Sequence, residues 1–323
     1  MHYVFIMNYF ADKKRMSAAE KAILELKKNK DEYVHVHVTE YAGHAGDLAS
    51  EYADKYGEDA LIIACGGDGT VHEISNSLAL KRTPMTVLPM GTGNDFARSV
   101  LPQEFYEHPE RIIPRLDQYS IRPVDVMRIG SYDEKGVFLP DCSGYSINIT
   151  SFGIDTAVQA QAKKIIQSAK HLRLIRRNAY SIATLICILR GWDYKLKYRF
   201  ILADGKGTAE GGTPYCLACI CNGQYYGNGF HPAPDALIDD GVLNVSVVED
   251  MPLSKVIPLV PRYKNGTHLP HPNIRTFRVT GGVLTAADGG KPLDGNYEGE
   301  DFYGSQVRFE VVPGAIQFAF FSI

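Results

Sequence analysis

Through the first third of the chain, short apolar runs alternate with stretches of helical spacing. Val4–Met7 reads as a strand, and Ser17–Lys28 places Ala22, Leu24 and Leu26 among charges as a helix does. Val34–Val38 alternates as a second strand, followed by a helix over Asp47–Tyr56 and an apolar run, Ala60–Cys65, that ends on glycines. A helix over Val71–Leu80 and a strand over Thr86–Leu88, closed by Pro89, complete the series. Strands separated by helices at this spacing predict a parallel sheet covered on its faces. After about Val124 the texture changes to short alternating strands at Val126–Ile129, Tyr145–Ile149, Leu196–Leu202, Tyr215–Cys221, Leu243–Glu249, Thr276–Val279 and Val307–Val312, separated by Gly- and Pro-rich turns. That pattern predicts an antiparallel sandwich or open barrel. The expected architecture is an α/β domain over 1–125, to which a strand at about 314–323 can return, and a β-sandwich domain over 126–313 with a helical insert at about 156–189. Ligands are expected in the cleft between them.

Composition narrows the function classes. The chain has 323 residues, 34 Lys+Arg against 37 Asp+Glu, 45% hydrophobic and 22% charged residues. These are globular values, and the near-neutral balance argues against nucleic acid as a partner. No apolar run approaches the roughly 20 residues that span a bilayer. The N-terminal strand precedes its positive charges, opposite to a signal peptide, so a soluble cytoplasmic protein is expected. Cys65, Cys142, Cys187, Cys216, Cys219 and Cys221 lack a second ligand pair at zinc spacing and read as reduced core thiols. His35 and His37 read as strand-surface residues.

Two loops carry the chemistry. Gly66-Gly67-Asp68-Gly69-Thr70 joins an apolar strand to a helix. Adjacent glycines let a phosphate approach the backbone, and the helix N–H groups and dipole favour its charge. An acid inside an anion site implies a shared cation, so Asp68 points to Mg²⁺. Gly91-Thr92-Gly93-Asn94-Asp95 repeats the logic after the next strand, at the carboxyl end where open α/β sheets bind ligands. No Gly-x4-Gly-Lys-Ser/Thr occurs, which excludes a P-loop, and the motifs of protein kinases are missing.

The sequence Gly-Gly-Asp-Gly-Thr at 66–70, followed by Gly-Thr-Gly-Asn-Asp-Phe-Ala-Arg at 91–98, resembles the diacylglycerol kinase catalytic-domain family, which includes sphingosine and ceramide kinases. The likeness extends to Thr39, to Ser151-Phe152-Gly153-Ile154-Asp155, and to Asn222–Phe230 and Ala233–Leu243. It implies an ATP- and Mg²⁺-dependent lipid kinase, with Asn8, Thr39, Gly66, Gly67, Asp68, Gly69, Thr70, Gly91, Thr92, Asn94 and Asp95 at the nucleotide. By the same resemblance, Asp240 with the carbonyls of Leu237 and Val242 holds a structural Mg²⁺, and Asp68, Asp95 and Asp125 join a metal network near the phosphates.

Two departures stand out. The family's first loop carries a glycine, where this chain reads Asn8-Tyr9-Phe10-Ala11-Asp12. The family's Asp-Gly-Glu, counted back from Pro313, falls on Glu298-Gly299-Glu300, with Asp294-Gly295-Asn296 as the rival placement. Glu300 or Glu298 is expected to take the proton of a lipid hydroxyl, with Asp68 beside it. Between Thr156 and Trp192 there is no acid, whereas Lys163, Lys164, Lys170, Arg173, Arg176, Arg177 and Arg190 are present. With Ala162, Ile165, Ile166, Ala169 and Leu172 at helical spacing, this reads either as a basic amphipathic helix lying on anionic lipid or as a core-packing helix with a solvated face. Peripheral membrane association follows from the first. A kinase of a soluble substrate such as NAD, and a non-catalytic nucleotide- or lipid-binding regulator, are the alternatives. The lipid and the oligomeric state are open, a dimer included.

Overall fold

Four short strands build the first sheet of the computed structural model, which describes residues 1–8, 13–169, 172, 175, 178–287 and 292–323. These strands are β1 (His2–Met7), β2 (Val34–Val38), β3 (Ala60–Gly66) and β4 (Met85–Pro89). All pair in parallel, in the order β4-β3-β1-β2. Every residue of β3 is buried, as a strand covered on both faces requires. The connecting helices are α1 (Lys13–Lys30), α2 (His44–Tyr56) and α3 (Asp68–Leu78). α2 buries Ala45, Leu48, Ala49, Tyr52 and Ala53, one stripe at helical period. Short helices α4 (Asp95–Val100) and α5 (Gln103–Glu107) follow β4.

The second half begins within β5 (Tyr119–Tyr132) and continues through β6 (Phe138–Ser146), β7 (Ile149–Gly153), α6 (Ile154–Ser168) and α7 (Ala179–Arg190). Next come β8 (Tyr194–Leu202), β9 (Thr208–Cys221), β10 (Leu243–Glu249), α8 (Leu253–Lys264) and β11 (Ile274–Ala286). β12 (Leu293–Tyr297), β13 (Glu300–Gly304) and β14 (Gln306–Phe321) complete it. These strands pair antiparallel. β9 and β11 each change partners partway along, and β11 does so at Gly281-Gly282. A Cβ on Gly282 would lie 2.7 Å from the Phe200 ring, so the strand turns where side chains are absent. One core of Phe152, Phe200, Ile220, Val247 and Phe309 fills this half; another, around Phe5, Ile62, Phe96 and Phe318, fills the first.

Two strands pass through both halves. β5 pairs with β14 along its length, and the far end of β14 pairs with β4 at Phe318↔Met85. The register shifts between Val312 and Ile316, so Pro313, Gly314 and Ala315 bulge opposite Asp125. Asp125 accepts the Gly314 amide at 2.8 Å and the Gly241 amide at 2.7 Å. All six cysteines are free and buried, the expected core thiols.

Candidate active site

The two glycine loops lie at the carboxyl ends of β3 and β4 and touch each other. A Cβ on Gly91 would stand 2.4 Å from the Cα of Gly67, and one on Gly66 2.3 Å from the Thr70 hydroxyl, so the fold excludes side chains there. Asn94, at φ +54°, closes the second loop by taking the Gly91 amide at 2.8 Å and donating to the Gly91 carbonyl at 2.9 Å. Asn8 donates to the Thr70 hydroxyl at 3.3 Å, and the Thr39 amide reaches the Met7 carbonyl at 2.9 Å. Asn8, Thr39 and both loops therefore share the carboxyl rim of the sheet, on either side of the point where the strand order reverses. The glycine-lacking stretch Tyr9–Asp12 lies outside the described residues.

Acids gather beside these loops. Asp68, in the first turn of α3, accepts the Phe96 amide at 3.1 Å and so ties the starts of α3 and α4 together. Asp95 is held from the other half by the amides of Asn228 and Gly229, both at 2.8 Å. Burial raises both carboxyls; for Asp95, pushed up to about 6, the charge of Asp68 adds to it. A Cβ on Gly93 would be 3.0 Å from Asp68 Oδ2 and 3.2 Å from Asp95 Oδ2, so both carboxylates approach one point above that glycine. This donor set fits a divalent cation shared with phosphate oxygens. Among the described residues no three His, Cys, Asp or Glu side chains are grouped to hold one unaided.

The hairpin between β12 and β13 separates the two candidate glutamates. Glu298 and Gly299 are its central residues, at φ +52° and +96°, the positive pair a two-residue type I′ turn demands. A glutamate there is conformationally costly, which is common where a side chain must be aimed. Its carboxylate accepts Ser146 Oγ at 2.7 Å and the Asn148 amide at 2.6 Å, and it lines a cavity together with Asp68 and Asp95. Burial pushes the Glu298 carboxyl up to about 7, against the pull of its donors. Glu300 begins β13 with its side chain in solvent and does not line the cavity, which corrects its placement as a candidate base. In the rival triplet, Asp294 is exposed, and Asn296 steadies the turn by accepting the Gly299 amide at 3.1 Å.

From these acids the cavity, about 730 Å³, extends between α6, α7 and α8 over Ile154, Val158, Ile188, Leu217, Val256 and Leu259. The apolar wall from α8 is absent from the sequence reading. Val256, Leu259, Val260 and Tyr263 have helical spacing, but Pro258 and Pro261 within the helix mask the signal. Likewise Ala162 is buried against α7 and Ile166 lines the cavity, so the apolar stripe of α6 is spent inward rather than offered to a bilayer. Lys170, Arg173, Arg176 and Arg177 lie outside the described residues.

The acids of the expected structural-metal set are held by protein donors in this structure. Asp240 is engaged by Arg278 at 2.7 Å and the Val242 amide at 3.1 Å, while Asp125 spends its oxygens on the two backbone amides of the bulge and the adjoining loop. Leu237 is exposed, and none of Leu237, Asp240, Val242 and Asp125 lines the cavity. Asp125 thus clamps the two halves together and does not line the cavity. Asp125→Ala is expected to destabilise the fold by about 2–4 kcal/mol by leaving two amides unpaired, read from denaturant unfolding. An unchanged midpoint would contradict that role.

Comparison with known proteins agrees with this geometry. Residues 2–129 match the diacylglycerol kinase catalytic domain, and residues 148–320 match the YegS C-terminal NAD kinase beta sandwich-like domain. A protein of Pseudomonas syringae pv. syringae named "Probable lipid kinase YegS-like" is 31% identical over 288 residues, covering 87% of this chain and 82% of its own. One of the same name from Pseudomonas aeruginosa is 30% identical over 261 residues, covering 80% and 76%. The crystal structure of a diacylglycerol kinase from Bacillus anthracis superposes with a TM-score of 0.64 at 18% identity, over 98% of this chain and 96% of that one, which shows the shared fold. With both domain models matched in order and the glycine loops and acids assembled at one cleft, the chain belongs to the diacylglycerol kinase catalytic-domain family and is a lipid kinase.

Proposed function

We propose that the protein transfers the γ-phosphoryl group of ATP, with Mg²⁺, to a hydroxyl of a lipid whose hydrocarbon body lies in the cavity between α6, α7 and α8. One observation carries this reading: a single cavity joins the acids Asp68, Asp95 and Glu298 to an apolar wall supplied by three helices. Soluble acceptors such as nucleotides have no use for that wall.

Asp68 and Asp95 would hold the Mg²⁺, which spreads the charge of the transferring phosphoryl group when bound. The glycine loops leave room for phosphates beside the N-termini of α3 and α4. Glu298 accepts the hydroxyl proton as the lipid oxygen bonds to the γ-phosphorus and the bond to ADP breaks. Ser146 and the Asn148 amide keep its carboxylate aimed. A carboxyl held near 7 is a far better proton acceptor than one at an ordinary value. The apolar walls exclude water, which would otherwise compete as acceptor.

We also place the protein at the surface of anionic membranes. Among the described residues no helix is long and apolar enough to cross one. Leu185 and Leu189 of α7 and Ile257 of α8 are exposed on helices that wall the cavity, and the charged residues within each of these two helices are all basic.

The test is incubation with Mg²⁺, γ-labelled ATP and lipid extract in neutral or anionic vesicles, with label followed into organic and aqueous products. Label is expected in a lipid, more with anionic vesicles and none with chelator. Label confined to a water-soluble acceptor would overturn the assignment.

A further inference from the structure

Two ribs of α6 face different neighbours. Ile154, Val158 and Ile166 line the cavity, whereas Gln159 and Lys163, one turn apart, reach the β12–β13 hairpin that carries Glu298. β7 pairs with β12 and then runs directly into α6, so helix and hairpin spring from one antiparallel pair.

Asn296 is the junction between them. Its Nδ2 donates to Gln159 Oε1 at 2.6 Å and to Asp301 Oδ1 at 2.8 Å, and its Oδ1 accepts the Gly299 amide at 3.1 Å. Asp301 in turn takes Lys163 Nζ at 3.5 Å, and Thr156 Oγ1 donates to the Asp294 carbonyl at 3.4 Å. An amide side chain meets both demands at this position, two acceptors on one side and a backbone donor on the other. A carboxylate would face Asp301, and an apolar group would release the Gly299 amide.

What hangs on that amide is the aim of Glu298. The peptide between Glu298 and Gly299 lies in the positive-φ turn, and Asn296 holds its N–H. Ser146 and the Asn148 amide hold the carboxylate at the other end of the residue. Fixing both ends limits where the side chain points, and one of the two is fixed from a helix that walls the cavity.

We propose that Asn296 and Gln159 are positioning residues that tie the aim of Glu298 to the seat of α6. The helix that meets the acceptor's hydrocarbon body then also orients the group that takes its proton. The proposal rests on the lipid-kinase reading above and on Glu298 as its proton acceptor.

The test follows label from γ-labelled ATP into lipid extract with the full chain and Mg²⁺, at saturating extract and varied ATP. Gln159→Leu keeps a good helix former but accepts no hydrogen bond. It is expected to lower the maximal rate about five- to fiftyfold with the KM for ATP unchanged. Gln159→Glu still offers Asn296 an oxygen and is expected to recover most of that rate. The same change is then made in a Glu298→Gln background. A residue that acts through Glu298 makes no further difference there, whereas one that only supports the fold multiplies the loss and lowers the thermal midpoint. Should Gln159→Leu fail to fold, the isosteric Asn296→Asp takes its place, with the same slowed transfer and the same silence behind Glu298→Gln expected. Equal lipid labelling by wild type and Gln159→Leu, or losses that multiply, would overturn the tie and leave the kinase intact. No lipid labelled by the wild type would overturn the kinase reading and the tie with it.

Discussion

Glu298→Gln is expected to lower kcat by about 10²–10⁴-fold while nucleotide affinity stays near wild type. The glutamine keeps the shape of the side chain and an oxygen for Ser146 and the Asn148 amide, but it cannot take a proton. Since the carboxyl must be ionised to act and titrates at about 7, wild-type kcat/KM should climb with pH through that value and level off above it. Stability should move the opposite way. A carboxyl raised from 4.5 to about 7 by burial carries no penalty below 4.5, where folded and unfolded chains are both protonated. The penalty grows between those values and reaches about 3 kcal/mol above them. Glu298→Gln should therefore be more stable than wild type in mild alkali and lose that advantage in acid, measured by urea unfolding across pH. A variant that lost turnover and stability together at alkaline pH would mark Glu298 as a structural group instead.

Gly91→Ala is expected to cost about a hundredfold in kcat/KM and to lower stability by about 1–3 kcal/mol. Its new methyl would meet Gly67 Cα at 2.4 Å and Gly67 N at 2.9 Å, backbone atoms that no side-chain rotation can move aside, so the two glycine loops must part. Gly69 provides the contrast. A Cβ there meets nothing within 4 Å, and the residue is exposed in the same glycine loop. Gly69→Ala should fold like wild type and weaken nucleotide binding alone. Calorimetric titration with nucleotide, paired with thermal unfolding, separates the two; identical behaviour of both variants would refute the loop-contact account.

What could be read from the sequence depended on how local the physics is. β3 and the Gly66–Thr70 loop were legible because an apolar run, a glycine pair and a helix start lie side by side in the chain. The Glu298 turn was legible only as a motif. Its separation from Glu300 depends on which residue takes the positive φ and which starts a strand, a distinction that appears once the hairpin is paired. The helices were expected as one basic insert, but the apolar side of α6 is consumed by α7 and the cavity. Asp125 and Asp240 enter as metal-side residues only through the family resemblance; the partners that hold them in this structure, Gly314, Gly241 and Arg278, are distant in the chain or contribute only backbone. Of β5 the alternation predicts only Val126–Ile129, because the exposed, mixed positions Ile121–Pro123 give no clear period before β14 pairs with them.

The path of β14 has a consequence for the order in which the molecule can be made. Residues 316–321 insert between β5 and β4, placing Phe318 against Phe96 and drawing Thr86 Oγ1 to the Ala319 carbonyl at 3.1 Å. They leave the ribosome only after the whole sandwich has been synthesised. Until then the first half holds an open apolar slot along β4, and a nascent chain carrying every glycine-loop residue still lacks a finished first core.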